Sequence, residues 1–412
     1  MVDENNARDR LATLADELRA SGHLRGDVWH EVFTHTWRHI FVPRFYVQDD
    51  PQDWRAPWRV VEGANPDDRT EWLDGIYSNE TLITELANQP VPEQLGGGTA
   101  QVITSSSTLP GLMVSMLATL DVQDDHHVLE IGTGTGYNAA LLCARVGDRN
   151  VTSMDIGPAL VNAARHRLAV HGFHPHLAAH NGERGVPKHA PFDRIIATCG
   201  VTRVPYAWVQ QTRSGGIILA NVSGPLMPGA LARLTVTGNG TATGPFQPGF
   251  AAFMPLREHP DRPSTPPMVG TPVDEAGSES LSWLSPHPLH PIGGSNTWGF
   301  FVQTVLSGLH ARRVHLHDDD LATKISTPDG SWALVAHTSH NGHYRTVQGG
   351  PRRLWDLLET AHQQWVKMGE PGWERFGLTV TPDRQWIWLD APESEHHWAP
   401  AGPSATEELS IP

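Results

Sequence analysis

The stretch Val128-Leu129-Glu130-Ile131-Gly132-Thr133-Gly134-Thr135-Gly136-Tyr137 drives an apolar run into a turn of three alternating glycines. Helix-forming residues, Asn138-Ala139-Ala140-Leu141-Leu142, follow at once. A turn without side chains lets a ligand come close to the backbone at the head of a helix. Glu130 stands two residues before the first glycine, where a carboxylate would crowd a pyrophosphate but suits a cationic or hydroxyl-bearing group. A second apolar run, Val151-Thr152-Ser153-Met154, ends in Asp155, spaced to hold the two hydroxyls of a ribose. Together these features favour S-adenosylmethionine over a nicotinamide dinucleotide.

Chemistry at such a turn needs a sheet behind it. Strands are expected at Val128–Ile131, Val151–Met154, His176–Ala179, Arg194–Ala197 and Ile217–Asn221, with helical patterns between them, notably Pro158 to His171. That alternation predicts an α/β fold with a parallel, doubly wound sheet. Ligand sites in such sheets lie at the carboxyl ends of the strands, where the Gly-rich turn, Asp155, Asn181-Gly182 and Thr198 all fall. Upstream, residues 8–25 and 28–39 read as helices, residues 48–75 as an irregular cover, and Thr104 to Pro110 as a Ser-rich loop after Gly96-Gly97-Gly98.

Composition narrows the partners. A formal charge of −15 argues against nucleic acid, which needs a basic face. No run of about 18 apolar residues offers a membrane span, and the first residues are too polar for a secretory signal. Two cysteines, Cys143 and Cys199, argue against a disulfide framework and suit a reducing cytoplasm. His315-Leu316-His317 is the one metal-like spacing, read here as an exposed strand end rather than a metal site.

After Leu256 the pattern changes. The expected organisation is a helical cover over 1–80, a catalytic domain over 81–256, a Pro-rich linker over 257–297, a C-terminal α+β domain over 298–398 and a tail over 399–412. The C-terminal part holds helices at 300–309 and 351–365 and a hairpin of 376–380 with 386–389. Trp373, Trp386 and Trp388 suggest an aromatic groove for a peptide, although one face of that strand must be core.

Several segments resemble, in order, the protein L-isoaspartate (D-aspartate) O-methyltransferases. These are Arg38-His39-Ile40-Phe41-Val42-Pro43, Thr108-Leu109-Pro110, the Gly-rich run 128–142, Pro191-Phe192-Asp193-Arg194-Ile195-Ile196, Gln211 to Leu219, and Phe253-Met254-Pro255-Leu256. The resemblance covers residues 28–256 and implies a Rossmann-like class I methyltransferase fold with an N-terminal helical segment, here carrying an added C-terminal α+β domain. It also implies methyl transfer from S-adenosylmethionine to a side-chain carboxylate, with S-adenosylhomocysteine as product. Carried over by position, Glu130, Gly132, Thr133, Gly134 and Gly136 would hold the methionyl end, and Asp155 with Ile156 the ribose. Asn181-Gly182, where the family has Asp-Gly, would meet the adenine, and Thr198 would complete the donor site. Thr108 stands where the family has its active-site Ser, and Ser105, Ser106, Ser107, Leu109 and Pro110 would meet the acceptor.

The additional residues and the Thr in place of Ser make the chain similar to extended actinobacterial homologues found with ribosomal peptide pathways (lanthipeptides, graspetides, lasso peptides). That likeness implies methyl esterification of one Asp in a macrocyclic peptide, leading to aspartimide or isoaspartate. Repair of isoaspartyl proteins is the alternative. On this reading residues 257–412 recognise the acceptor, and their removal should spare donor binding.

Overall fold

The computed structural model describes residues 4–50, 56–90, 98–249, 251–259, 277–286, 297–315 and 321–400. The chain opens with α1 (Glu4–Ala20), α2 (Asp27–His35) and α3 (Arg38–Phe41), then β1 (Arg44–Gln48), β2 (Trp58–Glu62), α4 (Arg69–Ile76), β3 (Leu82–Pro90), β4 (Thr99–Ser107) and α5 (Pro110–Leu120). The central run is β5 (Val128–Ile131), α6 (Tyr137–Val146), β6 (Val151–Asp155), α7 (Pro158–Val170), β7 (His176–Ala179), β8 (Phe192–Val201), α8 (Tyr206–Gln210), β9 (Thr212–Gly224), β10 (Met227–Val236) and β11 (Ala242–Pro245). The rest is β12 (Ser278–Ser282), α9 (Thr297–Val305), β13 (His310–His315), β14 (Leu321–Ser326), β15 (Trp332–His340), β16 (His343–Gly349), α10 (Leu354–Lys367), β17 (Phe376–Val380), β18 (Gln385–Leu389) and β19 (His397–Trp398).

The expected parallel strands are present, ordered β7-β6-β5-β8-β9, with Ile131 paired to Met154 on one side and Ala197 on the other. Their continuous apolar runs follow from burial on both faces. Side chains alternate across a strand, so Val128, Ile196, Ile217 and Leu219 enter one core, beneath α1, α2, α5 and α6. Leu129, Ile131, Ile195, Ala197, Ile218 and Ala220 enter the other. In α1 the buried residues Ala7, Leu11, Leu14, Ala15 and Leu18 recur at helical spacing, which gives that helix one face for the first core.

The second core corrects the expected domain boundaries. Beyond β9 the strands run antiparallel as β10, β11, β17, β18 and β19, so the last hairpin extends the central sheet to ten strands. Ala242 to Pro245 pair with Val380 to Gly377, and the Thr243 and Thr379 hydroxyls meet at 2.8 Å. Phe300, Trp365 and Phe376 pack in the same cluster as Ile195 and Ile218. The break read after Leu256 therefore separates segments of sequence but not of packing. Trp373 is buried in this core, and Trp388 is buried on the opposite face of β18, against Gly377, so neither is open to form the expected aromatic groove; Trp386 lies beneath Arg384. Strands β12 to β16 make a separate antiparallel sheet of five, ordered β12-β16-β15-β14-β13. Its edge strand β12 falls inside the segment read as a linker. The buried face of α10, Leu354, Trp355, Leu358, Ala361 and Trp365, covers that sheet as its periodicity requires.

The N-terminal cover is also more ordered than its composition suggests. A four-stranded antiparallel sheet, β2-β1-β3-β4, occupies part of it, and Ser105, Ser106 and Ser107 lie in β4 rather than in a loop. Ser and Thr tolerate a strand where neighbouring strands supply the backbone pairing. Residues 95–97 of the glycine cluster region, 316–320 of the His-x-His segment and 401–412 of the tail lie outside the described residues. Among those described, no three His, Cys, Asp or Glu side chains group as metal ligands, and no helix is long and apolar enough to cross a membrane.

Since β17 to β19 and α9 complete a core face, a chain ending at Leu256 should expose Ile218, Leu234 and Phe246. Such a truncation is expected to lose cooperative thermal unfolding and donor binding together. A soluble fragment that unfolds cooperatively and binds S-adenosylmethionine like the full chain would contradict this packing.

Candidate functional site

The Gly-rich turn closes on itself. The Gly132 and Thr133 N–H groups donate to the Met154 carbonyl at 2.8 and 3.0 Å, and Gly136 N–H to Thr133 O at 2.8 Å. The Gly134 N–H donates to Asp155 Oδ2 at 2.9 Å. Gly132, Gly134 and Gly136 have φ of 105°, 50° and 90°, the left-handed region where glycine is least strained. A Cβ on Gly132 would lie 2.5 Å from Thr198 Oγ1, whose hydroxyl donates to the Gly132 carbonyl at 2.7 Å. These N–H groups are spent inside the protein, so the turn offers close approach more than free donors. That suits a ligand other than a pyrophosphate.

Glu130 is fully buried under the turn, and both of its oxygens are engaged. Asn138 Nδ2 donates to Oε1 at 2.7 Å and Ser153 Oγ to Oε2 at 2.5 Å, with Thr133 Oγ1 2.7 Å from Ser153 Oγ. Burial pushes the Glu130 carboxyl up to about 7, against the two hydrogen bonds that favour its charge. Asn138 lines the cleft, and its Oδ1 is a buried acceptor without a hydrogen-bond partner among the described residues, as is the Tyr137 hydroxyl. Sequence reasoning passed over Asn138; its signal is an amide inside an otherwise apolar helix start.

Asp155 is aligned by two backbone donors, Gly134 on Oδ2 and Gly157 on Oδ1 at 3.2 Å. An ionised carboxylate has about four acceptor sites, so each oxygen retains capacity for a hydroxyl of a vicinal diol. The cleft therefore presents acceptors, Asp155 and the unpartnered Asn138 amide oxygen, above a buried carboxylate. A ligand carrying a diol, an ammonium and a sulfonium fits that set; an anion does not. S-adenosylmethionine is such a ligand.

The cleft holds about 1000 Å³ of free space, its open mouth included, within the range of small-ligand sites. Glu130, Gly132, Thr133, Gly134, Asp155, Ile156, Gly182 and Thr198 line it from one side, and Ser105 to Thr108 from the other. Gly136, Asn181, Leu109 and Pro110 do not line it. Gly136 packs on α7, with Ala164 Cβ 3.1 Å from where its own Cβ would lie. The Asn181 Oδ1 accepts from Glu183 N–H at 2.9 Å, capping a short helical turn. Pro110 begins α5 and is buried. The extended segment Phe253 to Leu256 forms another wall, tied to β8 by Gly200 N–H to Met254 O and Leu256 N–H to Gly200 O.

Thr108 joins β4 to α5, and its hydroxyl has no hydrogen bond among the described residues. Its backbone is held by Arg38, a buried residue whose role sequence reasoning did not see. The guanidinium donates to carbonyls of Ile76, Ser78, Glu80, Ser107 and Thr108 at 3.0–3.2 Å, and approaches Ser107 Oγ at 3.3 Å. Asn79 and Thr81 pin the same loop through Gly111 N–H and Leu109 N–H. Burial lowers the Arg38 pKa to about 10, which leaves it charged at neutral pH. Of the three serines, Ser107 is occupied by Arg38 and Ser105 accepts from Thr84 Oγ1 at 3.0 Å; Ser106 keeps its hydroxyl uncommitted among the described residues.

Replacing Arg38 with Met would leave several buried carbonyls unsatisfied, at about 1–3 kcal/mol each. Arg38→Met is expected to unfold at least 10 °C lower by scanning calorimetry, with Arg38→Lys in between. Glu130 generates a pH test. Its folded pKa is raised from 4.5 to about 7, so its stabilisation is complete below 4.5 and fades as pH rises to about 7. The stability advantage of Glu130→Gln over the wild type should grow by on the order of 3 kcal/mol between pH 4.5 and pH 8. Urea unfolding at the two pH values measures it, and an unchanged difference would show that the carboxyl is ordinary.

The model of the family described as protein-L-isoaspartate(D-aspartate) O-methyltransferase matches residues 68–241. A protein-L-isoaspartate O-methyltransferase of Azorhizobium caulinodans is 40% identical over 118 residues, 28% of this chain and 53% of that one. The chain thus spans about half the length of that relative. The protein of the same name from Ignicoccus hospitalis is 31% identical over 178 residues, 43% of this chain and 81% of its own. Among solved structures, a protein-L-isoaspartate O-methyltransferase aligns at a TM-score of 0.49 and 18% identity, covering 92% of this chain and 99% of that one. Given the extent of the Ignicoccus match, this chain belongs to the protein-L-isoaspartate(D-aspartate) O-methyltransferase family.

Proposed function

We propose that this chain is an S-adenosylmethionine-dependent carboxyl O-methyltransferase acting on the isoaspartyl side chain of a polypeptide. One observation carries the reading: a single cleft sets an acceptor-rich donor site, with Asp155 and Asn138, opposite the uncommitted hydroxyl of Thr108. The names borne by the relatives support the acceptor.

The donor supplies an activated methyl group on a sulfonium. A carboxylate oxygen of the acceptor forms the new C–O bond as the C–S bond breaks, leaving a methyl ester and S-adenosylhomocysteine. The carboxylate is ionised at neutral pH, so no general base is needed. The protein's work is to align the oxygen with the methyl group and exclude water. Thr108 would donate to the second carboxylate oxygen from a backbone fixed by Arg38, and Ser106 would bind the acceptor beside it. Acceptors around the donor would stabilise its positive charge before transfer. The buried, unpaired thiols of Cys143 and Cys199 support a reducing, cytoplasmic setting.

A second reading is esterification of an ordinary Asp in a macrocyclic ribosomal peptide, leading to aspartimide. Thr108 in place of the family's Ser favours it, because the added methyl reshapes the acceptor side, and the sheet β12 to β16 would offer surface to a rigid peptide.

Methyl transfer to a linear isoaspartyl peptide, a linear Asp peptide and an Asp-containing macrocycle tests both. Isoaspartyl methylation should be strongest, with Thr108→Ser retaining most activity and Thr108→Val losing about 100-fold, the scale of one oriented donor. Preference for the macrocycle would establish the second reading. Equal rates for the Thr108→Val variant and the wild type would remove the hydroxyl from the chemistry.

A further inference from the structure

A second cleft opens beside the donor site. Pro43, Arg44 and Tyr46 at the start of β1, Thr84 to Leu86 of β3, and one face of α7 border about 880 Å³ of free space, its open mouth included. Thr135 and Leu160 line this cleft and the donor cleft alike, so the two are neighbours with a shared wall. Leu86 and Leu160 give it apolar surface, and two guanidinium groups, Arg44 and Arg167, border it.

Arg167 is unusual in its company. It is partly buried, its Nη1 donates to the Thr135 carbonyl at 3.3 Å, and no carboxylate pairs with it among the described residues. Burial and then the neighbouring charge of Arg44 both depress its pKa. Arg44 is exposed at the rim, with Glu62 at 3.6 Å. Glu85 also borders the cleft; its Oε2 accepts from Thr104 Oγ1 at 2.8 Å, and it forms no ion pair with either arginine among the described residues. Two like charges converging on an apolar recess are stabilised by an anion brought between them.

Building on the proposed function, we propose that this cleft is an acceptor subsite that receives a carboxylate side chain flanking the residue to be methylated. The stem of that side chain lies on Leu86 and Leu160, and its carboxylate meets Arg167 and Arg44. A residue of extended chain spans about 3.3–3.6 Å, so the register at which an acidic residue acts reports how far the subsite lies from the reacting carboxylate. The protein thereby selects isoaspartyl sites by an acidic neighbour.

The test uses the full chain and linear isoaspartyl peptides in which a single Glu, or a Gln in its place, is walked from the third residue before the isoaspartate to the third after it. At one register the Glu peptide is expected to have a KM about fivefold below that of its Gln partner, with kcat unchanged and the gap shrinking as salt rises. Arg167→Gln and Arg44→Gln should each bring the two KM values together, and Arg167→Lys should keep part of the difference. Anisotropy of the same peptides, fluorescently labelled, on enzyme loaded with S-adenosylhomocysteine should show the same preference without turnover. Isoaspartyl methylation with equal KM for Glu and Gln at every register, or a preference that survives both Gln variants, overturns the subsite while the proposed function stands. Failure of every isoaspartyl peptide to bind or react overturns both.

Discussion

The middle strands of the central sheet, β5, β6 and β8, have no solvent face, and the remaining architecture answers to that constraint. Apolar side chains leave β5, β8 and β9 in both directions, and an exposed face of this kind would cost about 25 cal/mol for each Å² left in water. The N-terminal helices cover one face. The other is covered by α9 and α10, while the last hairpin extends the sheet beyond β11, Val380 pairing with Ala242 from 138 residues further along the chain. The C-terminal residues are thus part of the fold's foundation as well as a source of added surface.

The same covering elements organise the site. Gln385 of β18 clamps Val204, donating to its carbonyl at 2.6 Å and accepting from its N–H at 3.0 Å. Val204 follows β8, whose Gly200 anchors the cleft wall Met254 to Leu256. On the opposite side, Arg38 gathers carbonyls from the segment after α4 and from the end of β4, so that Thr108 is held without using its hydroxyl. Rigid support of this kind leaves the polar groups that face the cleft free for ligand.

Glu130 illustrates how burial changes a residue's task. A carboxylate beside a Gly-rich turn invites the reading of direct ligand contact, yet its oxygens are taken by Asn138 and Ser153. Its influence on a bound cation would pass through the Asn138 amide and through the field of a group balanced near neutrality, where the arrival of positive charge favours ionisation.

By itself, the sequence determined whatever depends on neighbours along the chain. The alternating strands and helices, the Gly-rich turn that needs positive φ, Asp155 at a strand end and the face of α10 are all local patterns, since side-chain period and backbone sterics act over a few residues. Tertiary structure decided the rest. A Ser-rich run became strand β4 because β3 paired with it, and Pro-rich composition hid β12 because an edge strand is specified by its partner β16. The carboxyl-terminal hairpin was legible as a hairpin, but its place at β11 was not, because pairing across that distance leaves no periodic trace. Arg38 became a hub, and Asn181 and Pro110 fell outside the cleft, for the same physical reason: which polar groups are left to satisfy is known only when distant segments have met.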